Sequence, residues 1–336
     1  MKIAVLGGGA IGSVVAAFLS KAGEDVTLVA RKEHVEAIQA NGLRVKGFNG
    51  DETIKVKVLT KLDQNYDLVI FTVKTQDIED VYSENADFLD DNSTVLSTQN
   101  GVQADNILTG HFHRDNVYSS IVMFGATYTR PGEVVYNFPG DWIVGKPFMV
   151  FDSKGHKIIG ILKKAFNIVV SDDIIGMKYL KLFVNFNNCI PALLGQSMQE
   201  VFADMDLCRL SVLLLKEGVD IVSQANIKLV SLPAFAAEKI YGMAAMPVDQ
   251  AAGIINQTLT KLSKEPLYGS ILQSIMRKRP SEIDFINGEV AVLARQMQKR
   301  ALLNERVVEL VHEVEQTGKY FSKEEIKEKF KLQVTS

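Results

Sequence analysis

The apolar positions change their period near the middle of the chain. Up to about residue 172, short apolar runs alternate with stretches whose apolar residues recur every three to four positions. Lys2–Leu6, Asp25–Ala30, Asp67–Val73, Ser93–Ser97 and Val117–Met123 read as strands, and Ile11–Lys21 and Lys32–Ala40 read as helices. The run from Asp67 to Val73 is apolar with little alternation, as expected of a strand covered on both faces. Strands separated by helices predict parallel βαβ units and a doubly wound sheet. Gly125–Tyr136, with Pro131-Gly132 as a turn, and Asp141–Val144 continue as β structure, and Asn167–Val170 reads as a last strand. Beyond it the spacing is helical: Ile174–Leu194, Leu207–Ala225, Pro233–Ala244, Asp249–Leu262, Glu282–Arg300 and Glu305–Thr317. The pattern predicts an α/β chain of two domains, a doubly wound sheet over residues 1–172 and an all-helical domain over 173–336. The charged stretch Ser322–Ser336 is expected to fray.

The chain has 336 residues, 47% hydrophobic and 23% charged, enough apolar material for two cores. Lys plus Arg number 37 against 40 Asp plus Glu, a net charge of −3. That lacks the positive field of sequence-independent nucleic-acid binding, so an anionic partner requires a local site. The two cysteines, Cys189 and Cys208, cannot build a disulfide framework, which fits a reducing compartment. The apolar run Ile3–Leu19 loosely mimics a signal peptide, but Gly7, Gly8, Gly9 and Gly12 interrupt it and a single lysine precedes it. No other stretch approaches the roughly 18 uncharged apolar residues of a membrane span, so a cytoplasmic chain with no membrane partner is expected.

Those glycines form Gly7-Gly8-Gly9-Ala10-Ile11-Gly12, a GxGxxG between a strand and a helix. Gly7 permits a tight turn, Gly9 lets backbone approach a pyrophosphate, and Gly12 lets helix and strand pack closely. The helix N-terminus offers free N–H groups to the anion. Alone the motif is weak; in this strand–turn–helix context it points to a Rossmann-type dinucleotide site rather than an empty turn. At the end of the second strand, where NAD-selective sites carry an acidic residue for the ribose hydroxyls, stand Ala30, Arg31 and Lys32. Their cations suit a 2′-phosphate, so NADP(H) is the expected cofactor. Two solvated charges at a helix start are the bland alternative, which the helix dipole mildly disfavours.

In the helical half, an apolar helix carries Lys181, Asn185, Asn187 and Asn188. At about 100° per residue, Asn185 lies roughly 40° from Lys181 and Asn188 roughly 20° to its other side, so the three form one polar stripe. Cys189 falls roughly 80° away and Asn187 points elsewhere. Buried amides need partners, which an oxygen-bearing substrate would supply; on spacing alone, a solvated surface face is the stronger reading.

Taken together and in order, these motifs resemble the ketopantoate reductase family over nearly the whole chain. To the glycine turn and Arg31 are added Val73-Lys74-Thr75 at a strand end and Asn100-Gly101 after the next strand. The helix carries Lys181-Leu182-Phe183-Val184-Asn185, and Ser270 stands twelve residues before Glu282-Ile283-Asp284. The resemblance implies NADPH-dependent reduction of 2-dehydropantoate to pantoate, a step of pantothenate biosynthesis, in a cleft between the domains. Lys181 would protonate the developing alkoxide, and Asn185 and Ser270 would hold the substrate. Asn100 would touch substrate and cofactor, Glu282 would serve catalysis near the nicotinamide, and Lys74 would hold the cofactor or the substrate carboxylate. The family usually has a second Asn eight residues after the lysine; here that position is Cys189, and Asn188 is the expected replacement. A carboxylate such as Glu282 would raise the Lys181 pKa while burial lowers it.

Read without the resemblance, Glu282 is a helix-start residue, Ser270 a loop hydroxyl and Lys74 a strand-end surface residue. Pro233–Asn256, rich in Ala and Met, suits core packing, with a homodimer face through the helical domain left open. His34, His111, His113, His156 and His312 show no zinc spacing and read as surface residues. No metal is expected, and neither a GxSxG nor a P-loop lysine occurs. The alternatives are a paralogous reductase of another 2-oxo acid, a non-catalytic NADP-binding sensor and, more weakly, a flavin enzyme.

Overall fold

The computed structural model describes residues 1–263 and 265–332. The chain divides into two compact units, Met1–Ile175 and Gly176–Ser336.

In the first unit the strands are β1 (Lys2–Leu6), β2 (Asp25–Val29), β3 (Leu43–Gly47), β4 (Gly50–Ile54), β5 (Lys57–Leu59), β6 (Leu68–Phe71), β7 (Val95–Ser97), β8 (Val117–Val122), β9 (Gly125–Arg130), β10 (Glu133–Phe138), β11 (Trp142–Gly145) and β12 (Ile168–Ser171). The helices are α1 (Ala10–Lys21), α2 (Lys32–Asn41), α3 (Ile78–Asn85), α4 (Gln103–Leu108) and α5 (Ser153–Leu162). Among the described residues, eight strands form one sheet in the order β12-β11-β8-β7-β6-β1-β2-β5. The pairs from β5 through β8 are parallel, while β11 runs antiparallel to β8. Alternate residues of β1 serve two cores: Ile3 and Val5 join one apolar cluster, Ala4 and Leu6 the other. Burial of both faces is why these strands read as unbroken apolar runs.

A second sheet has the order β4-β3-β10-β9. The sequence pattern missed β3 and β4 because charged residues alternate with the buried Leu43 and Val45. Arg44 in β3 reaches Asp51 in β4 at 2.6 Å on the open face.

The helical unit contains α6 (Ile174–Asn185), α7 (Cys189–Leu194), α8 (Met198–Phe202), α9 (Met205–Gln224), α10 (Ala237–Ala245), α11 (Val248–Leu259), α12 (Ser270–Met276), α13 (Asn287–Gln296), α14 (Leu302–Thr317) and α15 (Lys323–Lys329). α9 is the central post, with α10, α11, α13 and α14 packed against it. Gly218 lets aromatic rings approach this post: a Cβ there would lie 2.8 Å from Phe183 and 2.9 Å from Phe186. α10 and α11 bury Ala237, Ile240, Ala251, Ala252 and Ile255.

Three sequence expectations need correction. The predicted helix Ile174–Leu194 is two helices joined by a 3-10 turn, Phe186–Asn188. The predicted helix from Glu282 starts as a 3-10 turn and becomes α-helical only at Asn287. The expected fray at Ser322 is instead α15: Ser322 and Glu325 form a capping box, and Ile326 is fully buried. The last residues of that expected fray, 333–336, lie outside the described residues. Among the described residues no helix is long and apolar enough to cross a membrane.

Candidate functional site

The sheet unit presents its candidate residues along one rim. From β1 the chain builds outward through β2 to β5, then returns to the other side of β1 for β6, β7 and β8, so the order reverses between β1 and β6. In open α/β sheets, ligands bind outside the carboxyl ends of the strands at such a point. The carboxyl ends of β2, β1, β6 and β7 carry Arg31, the Gly7–Gly12 turn, Lys74 and Asn100 respectively.

Each glycine of the turn has its own reason. Gly7 sits at φ +118°, and a Cβ there would lie 2.7 Å from Val73 Cγ1. At Gly8 a Cβ would lie 2.3 Å from that of Ala30. A Cβ at Gly12 would lie 2.0 Å from the Gly7 carbonyl oxygen and 2.3 Å from Thr72 Oγ1. Gly9 differs: a Cβ there would meet nothing within 4 Å. Gly9 is also the N-cap of α1, followed by Ala10 and Ile11, and it makes no side-chain capping bond. Open space against an uncapped twelve-residue helix start fits a dinucleotide pyrophosphate.

Arg31 is the exposed N-cap of α2. Lys32 is exposed beside it, 3.8 Å from Glu36. Lys74, half-buried, precedes a 3-10 turn, Thr75–Asp77. Asn100 is half-buried next to Gly101, whose φ is +75°.

Two residues of this rim escaped the sequence reading. Gln99 is buried, and its Nε2 donates to the carbonyls of Phe71 at 2.9 Å and Val73 at 2.8 Å. It therefore ties the end of β6, which leads into Lys74, to the end of β7, which leads into Asn100. His34, expected at the surface, is only 2% exposed. The Gly132 N–H donates to its Nδ1 at 2.9 Å, so the ring proton sits on Nε2, 3.1 Å from Ser13 Oγ. Burial lowers its pKa below the usual 6.5. His34 occupies the apolar face of α2 with Val35 and Ile38, a spacing that was visible in the sequence.

In the helical unit, α6 holds Lys181 and ends on Asn185. Burial lowers the Lys181 pKa from the usual 10.5. Among the described residues burial is the cause of that shift, and the raising expected from a carboxylate such as Glu282 is not part of it. The 3-10 turn changes the wheel drawn from a continuous helix. The break at Phe186–Asn188 means the angle drawn for Asn188 on a continuous helix does not hold.

Asn188 Nδ2 lies 3.5 Å from the Oγ of Ser270, the exposed first residue of α12. Asn188 is the N-cap of α7, yet its amide makes no capping bond. Gly269, which the sequence reading passed over, provides the space for that amide: a Cβ at 269 would lie 2.4 Å from Asn188 Oδ1. Cys189 faces the other way. It is fully buried, its thiol donates to the Phe186 carbonyl at 3.0 Å, and burial pushes its pKa up to about 12. Asn187 also turns away, accepting from Ser211 on α9. Glu282 is half-buried at the head of the Ile283–Phe285 turn.

Comparison with known proteins bears on this arrangement. The family model "Ketopantoate reductase PanE/ApbA" matches residues 3–147, and the model of that family's C-terminal domain matches residues 173–315. A 2-dehydropantoate 2-reductase of Pyrococcus horikoshii is 31% identical over 325 residues, covering 95% of this chain and 99% of the relative. That of Pyrococcus abyssi is 29% identical, with 90% and 94% covered. A crystal structure of a PanE/ApbA family ketopantoate reductase from Ralstonia eutropha superposes with a TM-score of 0.79 at 25% identity, covering 94% of this chain and 99% of that one. D-mandelate dehydrogenase, solved with NADH and anilino(oxo)acetate, shares the fold with a TM-score of 0.80 at 22% identity, with 94% and 99% covered. Two family models that together span most of the chain, and a relative above 30% identity over nearly its full length, establish that this chain belongs to the ketopantoate reductase family of oxidoreductases.

Proposed function

We propose that the protein reduces 2-dehydropantoate to pantoate with NADPH. The observation that carries the reading is a half-buried lysine, its pKa lowered by burial, on a helix whose following amide meets a serine hydroxyl. The cofactor supplies, when bound, the hydride that reduces the C2 carbonyl. The protein's part is to bind, orient and protonate. Negative charge develops on the carbonyl oxygen, and the Lys181 ammonium both stabilises it and delivers the proton that completes the hydroxyl. Burial favours that delivery, because a lowered pKa makes the ammonium the stronger acid near neutral pH.

In the helical unit Asn185, Asn188 and Ser270 offer amide and hydroxyl groups to the substrate's oxygens and Glu282 a carboxylate, and on the sheet unit Asn100 offers a further amide. On the sheet unit, Gly7 to Gly12 with Ala10 and Ile11 receive the pyrophosphate. Arg31 and Lys32 meet the 2′-phosphate, and Lys74 holds the cofactor or the substrate carboxylate. Exposed cations at the end of β2 support NADPH over NADH. The NADH bound in D-mandelate dehydrogenase belongs to a relative that shares only the fold.

A second reading keeps the chemistry and changes the acid. The cysteine eight residues after Lys181 faces the core, so Asn188 presents its amide from one residue earlier, and a 2-oxo acid of different side chain could fit. NADPH oxidation against a panel of 2-oxo acids, with Lys181→Ala as control, decides between them. Turnover of 2-dehydropantoate above the others supports the first reading; turnover of others alone supports the second. No turnover of any would leave a nucleotide-binding sensor.

A further inference from the structure

Two residues one helical turn apart on α14 grip the segment that carries Glu282 from both sides. Glu315 Oε1 accepts the N–H of Ser281 at 2.7 Å. Its Oε2 lies 3.0 Å from His312 Nδ1, and His312 Nε2 lies 3.0 Å from Asp284 Oδ1. Ser281 is itself buried, and its Oγ accepts the N–H of Ile283 at 3.3 Å. The residue before Glu282 and the second residue after it are thus held to one helix through a single connected pair. Glu282 has φ −105° and ψ 27°, outside the regular helix, so its backbone direction is not set by a helical ladder. The α13 helix begins only five residues on, at Asn287. A neutral imidazole has one N–H and can donate to only one of the two carboxylates, whereas the protonated ring donates to both.

We infer that His312 and Glu315 form a positioning clasp that sets the Glu282 carboxylate for the reaction. The inference rests on the proposed role of Glu282. A clasp of this kind acts on the reaction only through the residue it aims, which separates it from ordinary packing of α14. Misplacing a reacting group by an ångström costs up to about 100-fold in rate. A tether released at one of two points is expected to cost about tenfold.

The test is a double-mutant cycle read by kcat/KM for NADPH oxidation with 2-dehydropantoate. His312→Ala is expected to lower kcat/KM about tenfold in the wild-type background and by less than about twofold in the Glu282→Gln background. His312→Gln, whose amide can still donate toward Asp284, is expected to recover part of the loss. An equal loss in both backgrounds, or no loss in the wild type, overturns the clasp. Should His312→Ala fail to fold, Glu315→Gln takes its place in the cycle; it keeps an oxygen for the Ser281 N–H and loses the charge that holds the ring. Wild-type protein that turns over no 2-oxo acid defeats the proposed function and this inference with it. An additive cycle in an active enzyme defeats the clasp alone.

Discussion

Alanine at Gly9 and alanine at Gly12 are expected to have opposite signatures, although the two positions share one turn. At Gly12 the added methyl would lie 2.0 Å from the Gly7 carbonyl oxygen and 2.3 Å from Thr72 Oγ1. Thr72 Oγ1 donates to that same carbonyl at 2.8 Å, so either the hydroxyl bond breaks or α1 moves away from β1 by more than an ångström. Overpacking of this kind costs about 1–3 kcal/mol. For a unit of this size that corresponds to a loss of roughly 2–12 °C in Tm. At Gly9 the methyl meets nothing, and φ −82° with ψ −163° is extended backbone that alanine adopts. Gly9→Ala is therefore expected to melt within about 4 °C of wild type, since a glycine N-cap exceeds alanine by roughly 0.5–1 kcal/mol. Its effect falls on the ligand. A methyl in the pyrophosphate's place removes one or two charge-assisted hydrogen bonds of about 1.5–3 kcal/mol each. NADPH binding, followed by fluorescence titration, should weaken by roughly 10- to 100-fold or more. Unchanged NADPH affinity in Gly9→Ala would refute the claim that the pyrophosphate lies over that position. Unchanged Tm in Gly12→Ala would refute the close-packing argument.

Other outcomes follow from the same geometry. Asn188→Ala should raise KM for the 2-oxo acid by about tenfold with Tm unchanged, because its amide faces Ser270 and caps nothing. Cys189→Ala should do the reverse, lowering stability by about 1 kcal/mol with KM unchanged, because its thiol lies in the core; wild-type kinetics in Asn188→Ala would remove Asn188 from the site. Arg31→Ala should raise the dissociation constant for NADPH by about tenfold and that for NADH by far less, and equal effects on both would remove the 2′-phosphate contact. His34 is neutral when folded and its pKa lies below 6.5, so it contributes stability above pH 6.5 that is lost as pH falls through the folded pKa. Acid titration of Tm should therefore show a decline below pH 6.5 that is smaller in His34→Gln.

The parts of this architecture that were legible in the sequence are those where one physical demand dominates. β1 and β6 had to be apolar on both faces, and their ends had to turn through glycine or into the rim, so the sheet and its phosphate turn stood out. β3 and β4 did not, because half of their side chains are charged and lie on an open face. The break in the lysine helix was hidden because Phe186, Asn187 and Asn188 contain neither glycine nor proline. One signal was present: Pro191, which fits the first turn of a new helix better than the interior of an old one. Reading it would have placed Asn188 at a helix start and Cys189 in the core. Gln99 and Gly269 were beyond pattern reading, since one acts through two backbone carbonyls and the other through the absence of a side chain.

The central claim is that the Lys181 ammonium supplies the proton to the reduced carbonyl, and the pH dependence of kcat/KM for NADPH oxidation tests it most directly. A proton donor must be protonated, so the wild-type value is expected to fall as pH rises through a pKa below 10.5, the direction in which burial moves this lysine. Lys181→Ala is expected to lose about 100- to 10,000-fold in rate and that alkaline limb with it, while still binding NADPH. A Lys181→Ala enzyme that keeps the wild-type kcat/KM and the same alkaline limb would contradict the account.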